Sequence, residues 1–212
     1  MAQFGKPEYW EDKYQRDTEP FDWYQRWEGV RDIVTQYLQK DYKILNIGCG
    51  NSRMSEEMYE EGYETITNMD ISFSVVKSME EEYKEKCPNM NFKVLDVRSM
   101  PEVESDSYDW VIDKGTLDTV LCGFASGVNS KETLAEINRV LVNGGVYICI
   151  SYGTEEERRP YFEKSDFKLQ NVHSIAKQTI STSSIVDNAD KDPKNFHYIY
   201  VMRKKVGPAP QE

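Results

Sequence analysis

The chain is poor in histidine: His173 and His197 are its only two, and its four cysteines, Cys49, Cys87, Cys122 and Cys149, show no C-x-x-C spacing. That scarcity leaves no ligand set for a zinc-type centre, so no metal is expected. It also gives no disulfide framework, and dispersed cysteines read as reduced thiols in a reducing compartment, here the cytoplasm. Long apolar runs are missing too. The run at 146–150 is far too short to span a bilayer, and the first residues are polar and soon charged. Neither a membrane anchor nor a secretory leader is expected. The last absence is a basic excess: 26 Lys and Arg stand against 37 Asp and Glu, a formal net charge of −11. A surface of that sign repels phosphate backbones, so nucleic acid is not expected as substrate, whereas a basic protein partner would be steered toward it.

What is present is organised around KILNIGCGNS, residues 43–52. Ile44, Leu45 and Ile47 form a short apolar run that stops at Gly48, the pattern of a buried parallel strand entering a tight turn. Gly48 and Gly50 let the backbone take positive φ and lie against a ligand. Asn51 and Ser52 are suited to cap a helix starting near Arg53. A second strand over 65–69 ends at Asp70, about twenty residues on, where a Rossmann-like unit places its ribose-binding carboxylate. A dinucleotide fingerprint wants a third glycine where this chain has Arg53. That argues against NAD and leaves S-adenosylmethionine (SAM) as the better candidate.

Along the chain, PEYWEDKYQR reads as a short helix with Pro7 in its first turn. A longer helix is expected over 24–39, with Trp27, Val30, Ile33 and Val34 on one face. Helices over 54–62 and 72–87 and strands over 92–95 and 108–112 follow. A helix over 131–142 ends in LVNGG, and a strand over 146–151 comes next. This alternation predicts a parallel sheet covered by helices on both faces. After a short helix over 155–162, two strands over 167–178 and 195–203 have no helix between them, and an antiparallel closing pair is expected. The polar connection over 179–193 is long for an ordinary turn. The expected organisation is one domain over 1–204: an aromatic-rich arm and first helix (1–40), a cofactor-binding core (43–151) and the strand pair (152–204), before a flexible tail (205–212).

A strand ending GCG, Asp70, Asp96 after the third strand and RVLVNGG before the fifth resemble a class I SAM-dependent methyltransferase. In that order, YWEDKY, FDWY, GCGNS and DKGTLD resemble the elongation factor 1-alpha lysine methyltransferase family. The resemblance implies a Rossmann-like, mostly parallel seven-stranded sheet with a C-terminal antiparallel pair. It implies SAM as cofactor and a protein substrate such as elongation factor 1-alpha. By position, Gly48 and Gly50 would line the methionine moiety, with Cys49 and Asn51 beside them. Asp70 would hold the ribose, with Ile71 next to it. Asp96 would accept from the adenine amino group beside Val97, and Tyr9, Trp10 and Trp23 would form an arm over the cofactor. Asp113 would face the sulfonium and orient the acceptor amine as the catalytic residue.

From the residues alone, Asp113 and Asp118 suit helix capping equally well. Lys114 is expected to be solvated, the alternative being a contact with the cofactor carboxylate, and His197 to be a packed strand histidine. The alternatives in function are a methyltransferase acting on a small amine or a protein N-terminus, and a SAM-binding protein without catalysis.

Overall fold

Four consecutive buried residues, Ile44–Ile47, form the strand β1 at the middle of the molecule. A strand buried on both faces needs helices on both, and the rest of the chain supplies them. The computed structural model describes residues 2–177 and 192–206. Most of the expected polar connection and of the tail therefore lies outside the described residues.

The elements in chain order are α1 (Pro7–Arg16), α2 (Trp27–Val34), β1, α3 (Met54–Glu60), β2 (Ile66–Asp70), α4 (Phe73–Tyr83), β3 (Asn91–Val94) and β4 (Tyr108–Lys114). They continue with α5 (Thr116–Cys122), α6 (Ser126–Val140), β5 (Leu141–Ser151), α7 (Glu155–Glu163), β6 (Phe167–Ala176) and β7 (Phe196–Lys204). The seven strands make one sheet in the order β3-β2-β1-β4-β5-β7-β6. The pairs from β3 to β5 are parallel, and β7 runs antiparallel between β5 and β6. The mostly parallel sheet with an antiparallel closing pair is thus as expected.

Alternation along the strands divides the core in two. Ile44, Ile112, Ile148 and Val201 face a cluster with Trp27, Val30 and Val34 of α2, Met54 and Met58 of α3, and Val75 and Val76 of α4. Leu45, Val111, Tyr147 and Met202 face Leu117 of α5, Leu134 and Ile137 of α6, and Phe162 of α7. One polar group interrupts the first face. The Asn46 Nδ2 donates to Ser55 Oγ at 2.9 Å and to Asn68 Oδ1 at 3.1 Å, tying α3 to β1 and β2 directly below the glycine turn. Buried amides are stable only when paired in this way.

Three boundaries differ from expectation for identifiable reasons. The second helix begins at Trp27, not near residue 24, because Tyr24 takes φ 65° and cannot belong to a right-handed helix. The LVNGG segment does not end α6 as a loop. Leu141 is fully buried and starts β5, and the glycines fall where the β4–β5 register shifts between Tyr108 and Trp110. Asn51 does not cap α3; Ser52 Oγ accepts from Met54 N at 3.2 Å, and Asn51 is turned toward the arm.

Strand order reverses between β1 and β4, whose carboxyl ends lie side by side with Ile47 in register with Asp113. Open α/β sheets bind ligands in the crevice at such a switch point. Ile148 pairs with Ile112 on one side and Val201 on the other, and all three are fully buried. Ile148→Ala should lower stability by about 2–5 kcal/mol, seen as a lower denaturation midpoint at unchanged slope.

Candidate active site

The glycine turn is built against two other elements. Gly48 has φ 60°, and a Cβ there would lie 2.0 Å from Thr116 Oγ1 at the start of α5. Thr116 Oγ1 itself donates to the Ile47 carbonyl at 2.9 Å. Gly50 has φ 51°, and a Cβ there would lie 2.3 Å from the Tyr14 hydroxyl of α1. The positive φ favours glycine at both positions, and at Gly48 the packed Thr116 side chain also leaves no space for a Cβ.

Asp70, at the end of β2, accepts from Gly50 N at 2.9 Å and from Ser72 N at 3.0 Å. Burial pushes its carboxyl above the usual range, and these backbone N–H groups oppose that shift. Ser72 caps α4 and donates to Glu11 Oε2 at 2.6 Å, while Ser74 N donates to the same oxygen at 3.3 Å. Glu11 thus fastens α1 to the N-terminus of α4. The Ser72 and Ser74 hydroxyls hold its carboxyl down at about 2.

Between this base and the arm lies a cavity of about 280 Å³. Leu95, Asp96, Val97 and Arg98 line one end, and Tyr24, Asp118 and Tyr152 line the other. Trp10, Tyr14 and Trp23 cover it, Trp10 stacked on Tyr14 at 5.9 Å and edge-on to Trp23 at 6.2 Å. A smaller hollow of about 20 Å³ continues below, bounded by Tyr14, Gly48, Gly50, Ser52 and Lys114.

Of the residues singled out in the sequence, Trp10, Trp23, Gly48, Asp70, Ile71, Asp96 and Val97 meet at the main cavity. Cys49 and Gly50 line only the smaller hollow. Asn51 lines neither, since its Nδ2 donates to the Glu19 carbonyl at 2.6 Å and so holds the loop after α1. Tyr9 is also off the wall, packed edge-on against Phe4 at 5.2 Å and Trp10 at 5.2 Å. Asp96 is on the wall, but Arg98 occupies its carboxylate, with Nε 2.9 Å from Oδ1 and 3.0 Å from Oδ2.

The expectation for Asp113 is corrected. It is fully buried and lines neither cavity. Its Oδ1 accepts from Thr116 N at 2.7 Å, and its Oδ2 accepts from Leu117 N at 3.1 Å and from the Tyr147 hydroxyl at 2.8 Å. It caps α5 from beneath the sheet surface, and burial pushes its carboxyl up to about 7. Lys114 is corrected as well. Its side chain is 7% exposed, and its Nζ donates to Asp22 Oδ1 at 2.9 Å and to the Trp23 carbonyl at 3.2 Å. His197 is packed as expected, its ring 4.8 Å from that of Tyr24 and Nδ1 3.3 Å from Gln25 Nε2.

The wall's other carboxylate is Asp118. Its Oδ1 accepts from Ser151 Oγ at 2.6 Å and from Arg158 Nε at 3.1 Å and Nη2 at 3.0 Å. Its Oδ2 accepts from the Tyr24 hydroxyl at 2.8 Å and from Tyr152 N at 3.1 Å. Three separate segments converge on one buried anion. The DKGTLD motif pointed at Asp118, but nothing in the charged run EEERRPYF distinguished Arg158 from its solvated neighbours.

Comparison with known proteins agrees with this geometry. The methyltransferase domain family matches residues 38–203. The eEF1A lysine and N-terminal methyltransferase of Bos taurus is 40% identical over 180 residues, which cover 82% of this chain and 26% of that protein. The chain thus spans about a quarter of the length of that relative. The EEF1A lysine methyltransferase 4 of Mus musculus is 30% identical over 182 residues, covering 81% of this chain and 71% of that protein. In fold, the chain is similar to a SAM-dependent methyltransferase from Methanosarcina mazei, with a TM-score of 0.68 at 19% identity, covering 88% of this chain and all of that one.

The Glu11 anchor has a signed pH dependence. A carboxyl whose folded pKa is depressed stabilises the fold above its unfolded value, about 4.3, and loses that contribution as pH falls toward its folded value. Glu11→Gln should loosen the arm at pH 7, seen as a red shift in the emission of Trp10 and Trp23. The difference from the unsubstituted protein should shrink steadily between pH 4.5 and about 2.

Proposed function

Because the chain belongs to the methyltransferase domain family, we propose that it carries a methyl group from SAM to an amine of a protein. The acceptor is a lysine of a basic protein, elongation factor 1-alpha foremost. The observation that carries this reading is one continuous cavity with a buried carboxylate, Asp70, on its base and an aromatic mouth at Tyr24 and Tyr152. The residues fit SAM. Gly48 and Gly50 present backbone without a Cβ at the walls of the two hollows, and Asp70 keeps acceptor capacity beyond its two backbone donors for a ribose diol. Leu95 and Val97 offer apolar flanks for a base. When bound, SAM supplies a methyl already activated by its positive sulfur.

What remains for the protein is positioning, for which well-oriented reactants gain about 7–11 kcal/mol. A lysine must also arrive neutral, against an ordinary pKa of about 10.4. A mouth walled by Tyr24, Trp23 and Tyr152 disfavours the ammonium form by excluding water, so the proton leaves to solvent before transfer. The Tyr24 hydroxyl donates to Asp118, which leaves its oxygen lone pairs free to accept from the incoming amine. Burial and the Asp118 charge raise the Tyr24 pKa, so it stays a neutral phenol. Asp113 keeps α5 in place and, lining neither cavity, stands out of reach of the incoming amine.

The relatives' names support the substrate class, and the net charge of −11 suits a basic partner. All four cysteines are free, which fits the reducing cytoplasm. No helix among the described residues is long and apolar enough to cross a membrane.

Methyl-labelled SAM incubated with the chain and purified elongation factor 1-alpha should place label on lysine. Label confined to small metabolites, or to a protein N-terminus, would overturn the acceptor assigned here. Asp70→Asn should weaken SAM binding by about tenfold or more in calorimetry, as loss of a charge-assisted bond predicts. Tyr24→Phe should lower kcat by roughly tenfold or more with SAM affinity nearly unchanged, as loss of an oriented acceptor predicts.

A further inference from the structure

A carboxylate beside a mouth that takes an amine is a hazard to the chemistry. Asp118 Oδ2 accepts from the Tyr24 hydroxyl at 2.8 Å, so an amine held by Tyr24 stands one hydroxyl away from a buried anion. An opposite charge within about 4–6 Å favours the charged form of a titrating group. Left alone, Asp118 would keep the acceptor as an ammonium, which has no lone pair to give. We propose that Arg158 is a positioning residue for methyl transfer: it cancels the Asp118 charge and fixes both tyrosines, so that the mouth takes the amine without its proton. This role rests on the lysine acceptor proposed above, and it falls to a side chain that lines neither cavity.

The local sequence leaves the guanidinium little freedom. Thr154 and Glu157 cap the start of α7 reciprocally, Thr154 N donating to Glu157 Oε2 at 2.8 Å, so Arg158 rides on a fixed first turn. Gly153 leaves the room that the side chain fills, since a Cβ there would lie 2.2 Å from Arg158 Cζ. Nε and Nη2 donate to Asp118 Oδ1 at 3.1 and 3.0 Å, and Nε also donates to Ser151 Oγ at 3.0 Å. Arg158 Cζ stands 5.1 Å from the centre of the Tyr152 ring, a cation over an aromatic face. One side chain thus holds Tyr152 directly and Tyr24 through Asp118. Burial works against its charge, but Asp118 more than offsets that, so the Arg158 pKa is raised and it stays a cation.

The other titratable groups around the mouth come from each element packed there. Tyr24 belongs to the arm, Cys122 to α5, Tyr152 to the end of β5, and His197 of β7 lies against Tyr24. Burial raises both tyrosines and pushes His197 down to about 4, with Lys177 adding to the latter shift, so all three are neutral at pH 7. Asp113 sits on the far side of α5, its carboxyl raised by burial to about 7, and Lys114 is paired with Asp22. Among the described residues, Asp118 and Arg158 are therefore the charges in direct contact with the two tyrosines of the mouth. Their sum is zero.

Single-turnover methylation of purified elongation factor 1-alpha at saturating SAM, followed against pH, tests this role. The rate should rise with pH as the bound amine loses its proton to water. Arg158→Met leaves Asp118 uncompensated and should move the midpoint of that rise up by about one pH unit or more. Asp118→Asn leaves the guanidinium uncompensated and should move it down. The double substitution restores neutrality, and its midpoint should return to that of the unsubstituted chain even where its rate is lower. Gly153→Ala, which displaces the guanidinium without changing any charge, should also move the midpoint up, and Arg158→Lys should keep it. SAM affinity in calorimetry should be nearly unchanged in the Arg158 variants. Removing one partner of a buried pair is destabilising; should Arg158→Met not fold, the Asp118→Asn shift and its reversal in the double variant decide. Midpoints that coincide across these variants, or move the opposite way, would make the pair a structural strut and overturn the role. Absence of methyl-lysine with the unsubstituted chain would instead remove the acceptor reading beneath it.

Discussion

The hydrogen bond from Gly50 N–H to the Asp70 carboxylate is the contact on which the functional end of this molecule depends. It ties the turn after β1 to the end of β2, and through Ser72 N the same carboxylate fixes the start of α4. Ser72 then passes the constraint outward to Glu11 and so to α1, which places Trp10 and Tyr14 over the cavity. A single buried anion with two backbone donors thus sets the base of the site and the position of its cover. In a low-dielectric setting such a charge-assisted pair is strong when complete and costly when broken.

At the opposite end of the cavity Asp118 plays an equivalent part with different chemistry. It gathers a phenol from the arm, a hydroxyl and an amide from the end of β5, and a guanidinium from α7. Its charge is balanced by Arg158, with side-chain exposures of 3% and 7%. The aromatic walls at Tyr24 and Tyr152 are therefore held by an ionic network and not by packing alone, which gives them defined orientations. Tyr24 keeps its positive φ under this restraint.

How much of this was legible follows from what each signal depends on. Strand β1, its glycine turn and Asp70 could be read because they rest on local rules: an all-apolar strand, a backbone needing positive φ, and a fixed interval to the next carboxylate. The seven strands and the antiparallel end followed from periodicity and from the missing final helix. Asp113 was harder, since an acid at a strand end can cap a helix or face a ligand, and the choice is made by Tyr147, 34 residues away. Lys114 looked solvated because its neighbours in DKGTLD are polar, while its burial comes from Asp22 and Trp23 of the folded-over arm. Arg158 was invisible for the same reason, its partner lying 40 residues earlier. Contacts across such intervals leave no periodic trace.

The place of β7 bears on how the chain is made. It is the last strand in sequence, yet it lies inside the sheet between β5 and β6. A nascent chain emerging from its N-terminus can assemble β1 to β5 as parallel neighbours, but β6 then has no strand to pair with. Until the residues of Phe196–Lys204 are released, the wholly buried run of β5 offers an open, apolar edge. Unpaired edges of that kind are where chains join wrongly. Assembly of this sheet is therefore completed one strand in from its edge, after β6 has been made, and a chain cut short before β7 would be sticky although every residue of the glycine turn is present.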